Sequence, residues 1–397
     1  MNKDFFVGNR RALADQLDGE VIILGAYTLL QRSGDAAFHF EQEANFWYLT
    51  GIDSPGWKLI IDHEESWLIA PDVDDIHQIF DGSMTQQEAK RISGVDTVLT
   101  CSEGESLLLE LSKKYTAIYS LGEDPHKDHY DFVMNPGPVL LYKKLQETFE
   151  SVKDCRKVLA SLRAIKQPVE IEAMRRAIEL TVGGFNKVNA NMHNYSHEYG
   201  IEADFTHYFR SNGASGHAYD PIVAAGKNAC TLHYDKNQAA LENGQLILLD
   251  VGARVDGYAA DITRTYAYGE ITDRQRAVHV VVEKAHREII ELLKPNLNVK
   301  EYFDTVDDIM KEALDELGLI KTPSDYRKYF PHSISHGLGI DVHDSLGGPE
   351  TFQPGMVLTV EPGIYIPEEG IGVRIEDDIL ITETGYENLS IGLPTSL

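Results

Sequence analysis

Leu246-Ile-Leu-Leu-Asp250-Val-Gly252-Ala-Arg-Val-Asp256-Gly257-Tyr-Ala-Ala-Asp261-Ile-Thr-Arg-Thr265 is the stretch whose reading decides the fold. It opens as an apolar run, breaks at Asp256-Gly257 and resumes as alternating residues, which predicts a β-hairpin with a type I′ turn. With Asp256 and Gly257 as the loop, Val255 faces Tyr258, Gly252 faces Asp261 and Asp250 faces Thr263. Strand side chains repeat every second residue, so Asp250 and Asp261 share one face as diagonal neighbours. Gly252 has no side chain and leaves room between them. Two carboxylates this close repel unless a cation sits between them. Two acids on a hairpin face are, by themselves, more often a solvated surface. Here Leu246 to Leu249 is apolar on both faces and reads as a buried strand. A carboxylate at the end of a buried strand needs a partner.

The 397 residues suffice for two domains with full cores. Apolar content of 43% and charged content of 25% are those of an ordinary globular protein. No apolar run reaches the length of a membrane span and the start Met-Asn-Lys-Asp-Phe-Phe does not read as a signal peptide, so the chain is expected to be cytoplasmic. A net charge of -27 argues against nucleic acid or an anionic membrane as partner and leaves room for bound cations. Cys101, Cys155 and Cys230 show no paired spacing, which fits a reducing compartment. Cys230 precedes His233 by three residues, but no oxyanion or orienting motif accompanies the pair.

Along the chain, residues 1–155 read as one α/β domain and 156–397 as a second, catalytic one. In the first, residues 21–24, 57–61 and 67–70 are strand-like, 85–92 and 103–114 have helical spacing, and Trp47, Trp57 and Trp67 are expected to be core. In the second, Gln167-Pro168 opens a long helix, and another covers about 198–210. Residues 217–225 and 231–234 are predicted as strands, followed by the hairpin, two helices at about 273–293 and 299–317, and strands and turns from Phe330 on. Two helices followed by acid-bearing strands occur twice, a coarse internal symmetry.

Three later positions look like further ligands. His336 lies in the segment from Phe330 to His343, Glu361 ends the apolar run Met356-Val-Leu-Thr-Val360, and Glu376 sits in Gly372-Val-Arg-Ile-Glu-Asp-Asp378. Glu361 repeats the pattern of Asp250, an acid closing a buried strand. Carboxylates with one imidazole suit a pair of divalent ions such as Mn, Co or Fe(II), and zinc is also compatible. The scarcity of cysteine argues against a structural zinc site. His332 and His336 are four apart, but Pro331 and Gly337 argue against a helix and no Glu follows His332, so this is not an H-E-x-x-H site.

Together these segments resemble the pita-bread metallopeptidases, the group that includes methionine aminopeptidase, prolidase and Xaa-Pro aminopeptidase. The similarity is greatest to the bacterial Xaa-Pro aminopeptidases and covers nearly the whole chain. It is carried by Ile222–Tyr234, Leu249–Gly252 with Gly257–Thr265, Ser335–Asp344, Pro354–Gly363 and Val373–Asp378, and by the N-terminal Phe-Trp-Tyr-Leu-Thr-Gly segment ending at Gly51. The resemblance implies a mixed α/β (α+β) protein, with an N-terminal creatinase/aminopeptidase-P-like α/β domain followed by a pita-bread catalytic domain of pseudo-twofold α+β repeats. It implies a dinuclear metal centre, Mn(2+) first, with Co(2+), Zn(2+) or Fe(2+) as alternatives. Asp250 would bind one metal, Asp261 and Glu376 would bridge the two, and His336 and Glu361 would complete the second site. Glu361 would also serve as general base, His233, His332 and His343 would be the active-site histidines, and Arg374 would stand beside the bridging glutamate. Tyr258 is a candidate for the proline pocket, with His233, His332 and His343 also touching substrate.

The implied substrates are peptides with proline second, and the implied assembly is a homodimer or homotetramer. The sequence leaves Xaa-Pro dipeptidase (prolidase) activity open beside Xaa-Pro aminopeptidase activity. A non-catalytic pita-bread binding module is the alternative from another class. Two departures from the family pattern, Phe80 before Asp81-Gly82 and the short link Ile366–Gly370, bear on which peptide lengths are accepted.

Overall fold

Short β-branched and Leu-rich runs bounded by turn residues make the strands of the N-terminal region. Ile22–Gly25, buried at every position, forms the interior of a six-stranded sheet. Lys58–Ile61 pairs antiparallel on one side of it and Ala117–Ser120 parallel on the other. Ser66–Ile69 with Thr97–Leu99, and Ser151–Asp154, extend the two edges. Thr85 and Thr100 each receive the third residue of their helix while Glu88 and Glu103 reach back, two capping boxes written as Thr-x-x-Glu. Trp57 is buried as expected of a core tryptophan, and the aromatic run before Gly51 forms the helix Ala44–Thr50. This computed structural model describes residues 1–63, 65–122 and 133–397. The chain divides into two units, Met1–Leu162 and Arg163–Leu397. No helix among the described residues is long and apolar enough to cross a membrane.

The second unit repeats one plan twice. Helices Pro168–Ala190 and Glu198–Ser211 precede the sheet of Ile222–Ala225, Gln245–Val251 and Ile262–Tyr268. Helices Asp273–Leu292 and Val299–Glu316 precede the sheet of Val357–Val360, Asp377–Ile381 and Tyr386–Asn388. Each sheet buries one face against its own helix pair, giving two cores. One centres on Phe185, Phe205, Phe209 and Leu249, the other on Val282, Ile289, Leu314 and Leu358. Helix starts were legible: Pro168 opens the first turn of its helix, and Thr272 and Gln275 form a capping box.

The hairpin has the expected register. Val255 faces Tyr258 and Asp250 faces Thr263, with Asp256 and Gly257 at φ +50° and +86°. Both central residues are left-handed, as a type I′ turn demands. The ribbon is broken near Gly252, beyond which Ala253–Val255 leaves the first sheet and pairs with Gly216–His217. One expectation needs correcting: residues 231–234 form no strand. Gly226, at φ +54°, turns the chain into the short 3-10 helix Gly226–Cys230. The buried Glu198 carboxylate then accepts from the amides of Ala225 and Ala239 at 2.8 Å, Asn228 Nδ2 at 3.0 Å and the Tyr234 hydroxyl at 2.9 Å. Glu198 thereby anchors the segment from Ala225 to Ala239, with the Tyr234 side chain as its contact within residues 231–234.

A Cβ on Gly252 would lie 1.7 Å from the Ala260 carbonyl oxygen and 3.0 Å from the Tyr219 ring. Gly252→Ala is therefore expected to cost about 2 kcal/mol or more, read as a lowered urea midpoint; a midpoint unchanged from the parent would show that the hairpin can open at no cost.

Candidate active site

A carboxylate at the end of a buried strand needs something to meet its charge, and four acids at or beside strand ends gather around one cavity. Asp250 closes the apolar part of Gln245–Val251. Asp261 lies across the hairpin from it, at the start of Ile262–Tyr268. Glu361 follows Val357–Val360, and Glu376 lies between Ile371–Arg374 and Asp377–Ile381. His336 is placed by its own backbone. The segment 334–338 runs antiparallel to Val357–Val360, through Leu338 N to Val357 O, Thr359 N to His336 O and Glu361 N to Ile334 O, at 2.9–3.1 Å. All five side chains line a cavity of about 630 Å³ together with Arg374.

Ligand atoms of Asp261, His336 and Glu376 all lie within 4.8 Å of one another. His336 Nε2 is 3.5 Å from Asp261 Oδ2 and 3.6 Å from Glu361 Oε1. Its Nδ1 is 2.9 Å from the Gly337 carbonyl. That bond takes the Nδ1 proton and leaves Nε2 to face the acids, the tautomer a metal-binding imidazole needs. Glu376 accepts from the Thr263 hydroxyl at 2.7 Å, and its amide donates to the Thr263 carbonyl.

The three histidines share this cavity. His343 packs edge-on against His336 with ring centroids 4.4 Å apart. The loop returns it there because Asp344 N donates to Gly337 O, and the Asp344 carboxylate is held by Arg163 at 3.0 Å and Lys166 at 3.4 Å. His332 Nδ1 is 3.4 Å from Glu361 Oε2, and its Nε2 is 2.9 Å from the Tyr365 hydroxyl. His233 lies on the exposed side. Arg374 donates to Asp250, to Tyr365 at 2.7 Å and to Thr263 at 3.1 Å. Its closest carboxylate partner is thus Asp250.

Tyr258 does not join them, which corrects its place in the proline pocket. It is fully buried, and its hydroxyl donates to Glu170 at 2.7 Å. Its side chain is not among those that line the cavity. Two tyrosines were missed instead. The Tyr219 hydroxyl lies 2.5 Å from Asp250 Oδ1 and 2.6 Å from Asp261 Oδ1. Tyr365 joins His332 to Arg374. The only sequence signal for Tyr219 was the gap left by Gly252, which its ring and the Ala260 carbonyl fill. Cys230 is no nucleophile candidate: burial pushes its thiol up, away from the thiolate.

Electrostatics tests whether the donor set fits a cation. Among the described residues lining the cavity, Arg374 is the one permanent cation facing Asp250, Asp261, Glu361 and Glu376. Burial raises the Asp250 and Glu376 carboxyls, and the charges of neighbouring acids add to it. Glu361 is pushed up to about 7 by burial, against the pull of His336 and Arg374. Burial alone would depress His336, but Asp261 and Glu361 outweigh it and raise the imidazole to about 9. Tyr219 has one proton for two carboxylates, so it cannot satisfy both. The protein alone leaves this cluster short of positive charge, and hard oxygen donors with one imidazole fit divalent ions.

Comparison with known proteins agrees. Residues 172–383 match Metallopeptidase family M24, and residues 6–119 match the Aminopeptidase P, N-terminal domain. The Xaa-Pro aminopeptidase of Escherichia coli (strain K12) is 34% identical over 98% of this chain and 95% of that protein. That of Haemophilus influenzae is 32% identical over 100% and 95%. The structure of aminopeptidase P from E. coli with the inhibitor Pro-Leu superposes with a TM-score of 0.88 at 32% identity, covering 100% of this chain and 96% of that one. The fold and site define a metallopeptidase with a pita-bread catalytic domain. The chain belongs to metallopeptidase family M24 and carries the aminopeptidase P N-terminal domain.

In the metal-free protein burial favours protons on the Glu361 and Glu376 carboxyls, and Asp261 and Glu361 favour one on the His336 imidazole. A cation must displace them, so uptake should release protons, and affinity should fall as pH drops from about 8 to 6. Titration calorimetry with Mn(2+) in two buffers of different ionisation enthalpy reads this directly; equal heats in both would rule it out.

Proposed function

We propose that this protein is an Xaa-Pro aminopeptidase that hydrolyses the bond between an N-terminal residue and a following proline, using two divalent ions, Mn(2+) foremost. What carries the proposal is the meeting of Asp261, His336 and Glu376 within 4.8 Å, in a cavity also lined by Asp250, Glu361 and three histidines. Asp250 and Asp261 would hold one ion; His336, Glu361 and Glu376 the other, with Asp261 and Glu376 shared. A bound pair of divalent ions supplies Lewis acidity and brings the pKa of water toward neutrality.

The side chains do the rest. Glu361, which faces the same cavity beside His332 and His336, would take the proton of the attacking water and return one to the departing proline nitrogen. His343 is lowered by burial and by His336, so it is neutral at pH 7 and donates one N–H to the developing oxyanion. His332 is lowered to about 3 by burial and Arg374, so it stays neutral and shapes the wall beside Glu361. His233, at the exposed side, holds the peptide near proline. Arg374 and Tyr219 fix Asp250. A proline nitrogen has no N–H and φ is fixed, so the ring is selected by shape rather than by a backbone hydrogen bond. The full-length similarity to Xaa-Pro aminopeptidases, and the Pro-Leu bound in one of them, support this substrate class.

Peptides Xaa-Pro-Xaa, Xaa-Pro and Xaa-Ala-Xaa should be assayed after chelation and after adding back Mn, Co or Zn. Chelation should abolish activity, metal should restore it, and tripeptides with proline second should be cleaved. Activity confined to Xaa-Pro dipeptides would instead identify a prolidase. His343→Ala should keep its metal content and lose kcat by on the order of 10²-fold; metal loss in that variant would make His343 a support rather than a donor to the oxyanion.

A further inference from the structure

Asp261 and Glu376 come from opposite halves of the catalytic unit, and they can share a cation only if two backbones keep a fixed separation. The backbone contact beside them is one bridge, Thr263 opposite Glu376, with Glu376 N donating to Thr263 O at 3.0 Å. Arg264 adjoins that bridge. Its side chain alternates with those of Asp261 and Thr263 along the strand and leaves on the face away from the cavity. It is 1% exposed.

The five N–H groups of Arg264 meet five acceptors. Nε donates to Pro394 O at 2.9 Å. Nη1 donates to Thr263 O at 2.9 Å and to Glu376 O at 2.7 Å. Nη2 donates to Asp377 Oδ1 at 2.6 Å and to Leu393 O at 2.8 Å. Asp377 balances the charge and is held in turn by Asn388 Nδ2 at 2.6 Å. A guanidinium offers five donors in one plane, so none is left over and no other side chain can replace it. One rigid group thereby ties the Asp261 strand, the Glu376 segment and the chain at 393–394.

We infer that Arg264 is a positioning residue for the metal centre, setting the spacing of Asp261 and Glu376 through the Thr263 and Glu376 carbonyls, and that residues 393–394 are part of that support. The inference rests on Asp261 and Glu376 being metal ligands. A lysine would bring three donors from a tetrahedral head and leave buried carbonyls unpaired. Partners of this kind, one shell out from the ligands, typically change metal affinity 10- to 100-fold when altered.

The test uses metal-free full-length protein titrated with Mn(2+) alone, and the visible spectrum of the Co(2+) form, which reports ligand geometry. Arg264→Lys and Arg264→Gln should both fold by circular dichroism. Both should bind Mn(2+) about tenfold or more weakly and show a shifted Co(2+) spectrum. Val278→Ala, a core change in the helix Asp273–Leu292, is the control: it should lower the thermal midpoint and leave Kd and spectrum alone. Asp261→Asn should abolish tight Mn(2+) binding; if it does not, the ligand assignment fails rather than the role of Arg264. Parental Kd and spectrum in either altered chain would overturn the inference. So would failure of both to fold, because the proposal requires a folded protein with a loosened site.

Discussion

Uncompensated negative charge in a buried place is the constraint on which the catalytic unit depends. Asp250, Asp261, Glu361 and Glu376 face one cavity with a single guanidinium among them. Isolated carboxylates are never left ionised in such a setting without partners. In the metal-free protein the balance is kept by protons, on carboxyls pushed upward by burial and on a His336 imidazole raised by its acidic neighbours. Divalent ions meet the same demand with more charge. The electrostatic problem of the fold and the chemistry of the enzyme are one problem.

The doubled architecture supplies the geometry. Each half offers a sheet backed by two helices, and each sends acids out at the ends of buried strands. Asp250 and Asp261 belong to the first half, Glu361 and Glu376 to the second. The join is built of the bridge of Thr263 and Glu376, with the Thr263 hydroxyl on the Glu376 carboxylate and Arg264 behind, together with the contacts of Arg374 to Asp250 and Thr265 and of the Asp261 amide to Asp378. His336 and His343 arrive separately, on a loop laid along Val357–Val360 and pinned through Asp344. Rigid strands therefore carry the acids, and a strapped loop carries His336 and His343.

The neutral histidines and the acids are tuned in opposite directions. Burial depresses His332 and His343, while burial raises Glu361. In the metal-free protein, neutral imidazoles that can donate one hydrogen bond thus stand beside a carboxyl that holds its proton more tightly than a free glutamate. Groups whose surroundings drive their pKa values apart are those suited to separate acid and base roles.

Much was written locally. The Asp256-Gly257 turn fixed the register that brings Asp250 diagonal to Asp261, because a two-residue I′ loop allows one pairing. Capping boxes and Pro168 fixed helix starts, and motif resemblance pointed to His336, Glu361 and Glu376. Three things were decided only in tertiary structure. Residues 231–234 take no strand, and the Tyr234 hydroxyl instead meets Glu198, from a helix distant in sequence. Tyr258 turned away from the cavity to meet Glu170, while Tyr219 came between the two aspartates. Arg264 found its five acceptors in three segments. Turns and caps depend on residues a few positions apart, so sequence alone determines them; a buried hydroxyl, carboxylate or guanidinium takes partners from wherever the packed chain places them, and only the folded structure says where that is.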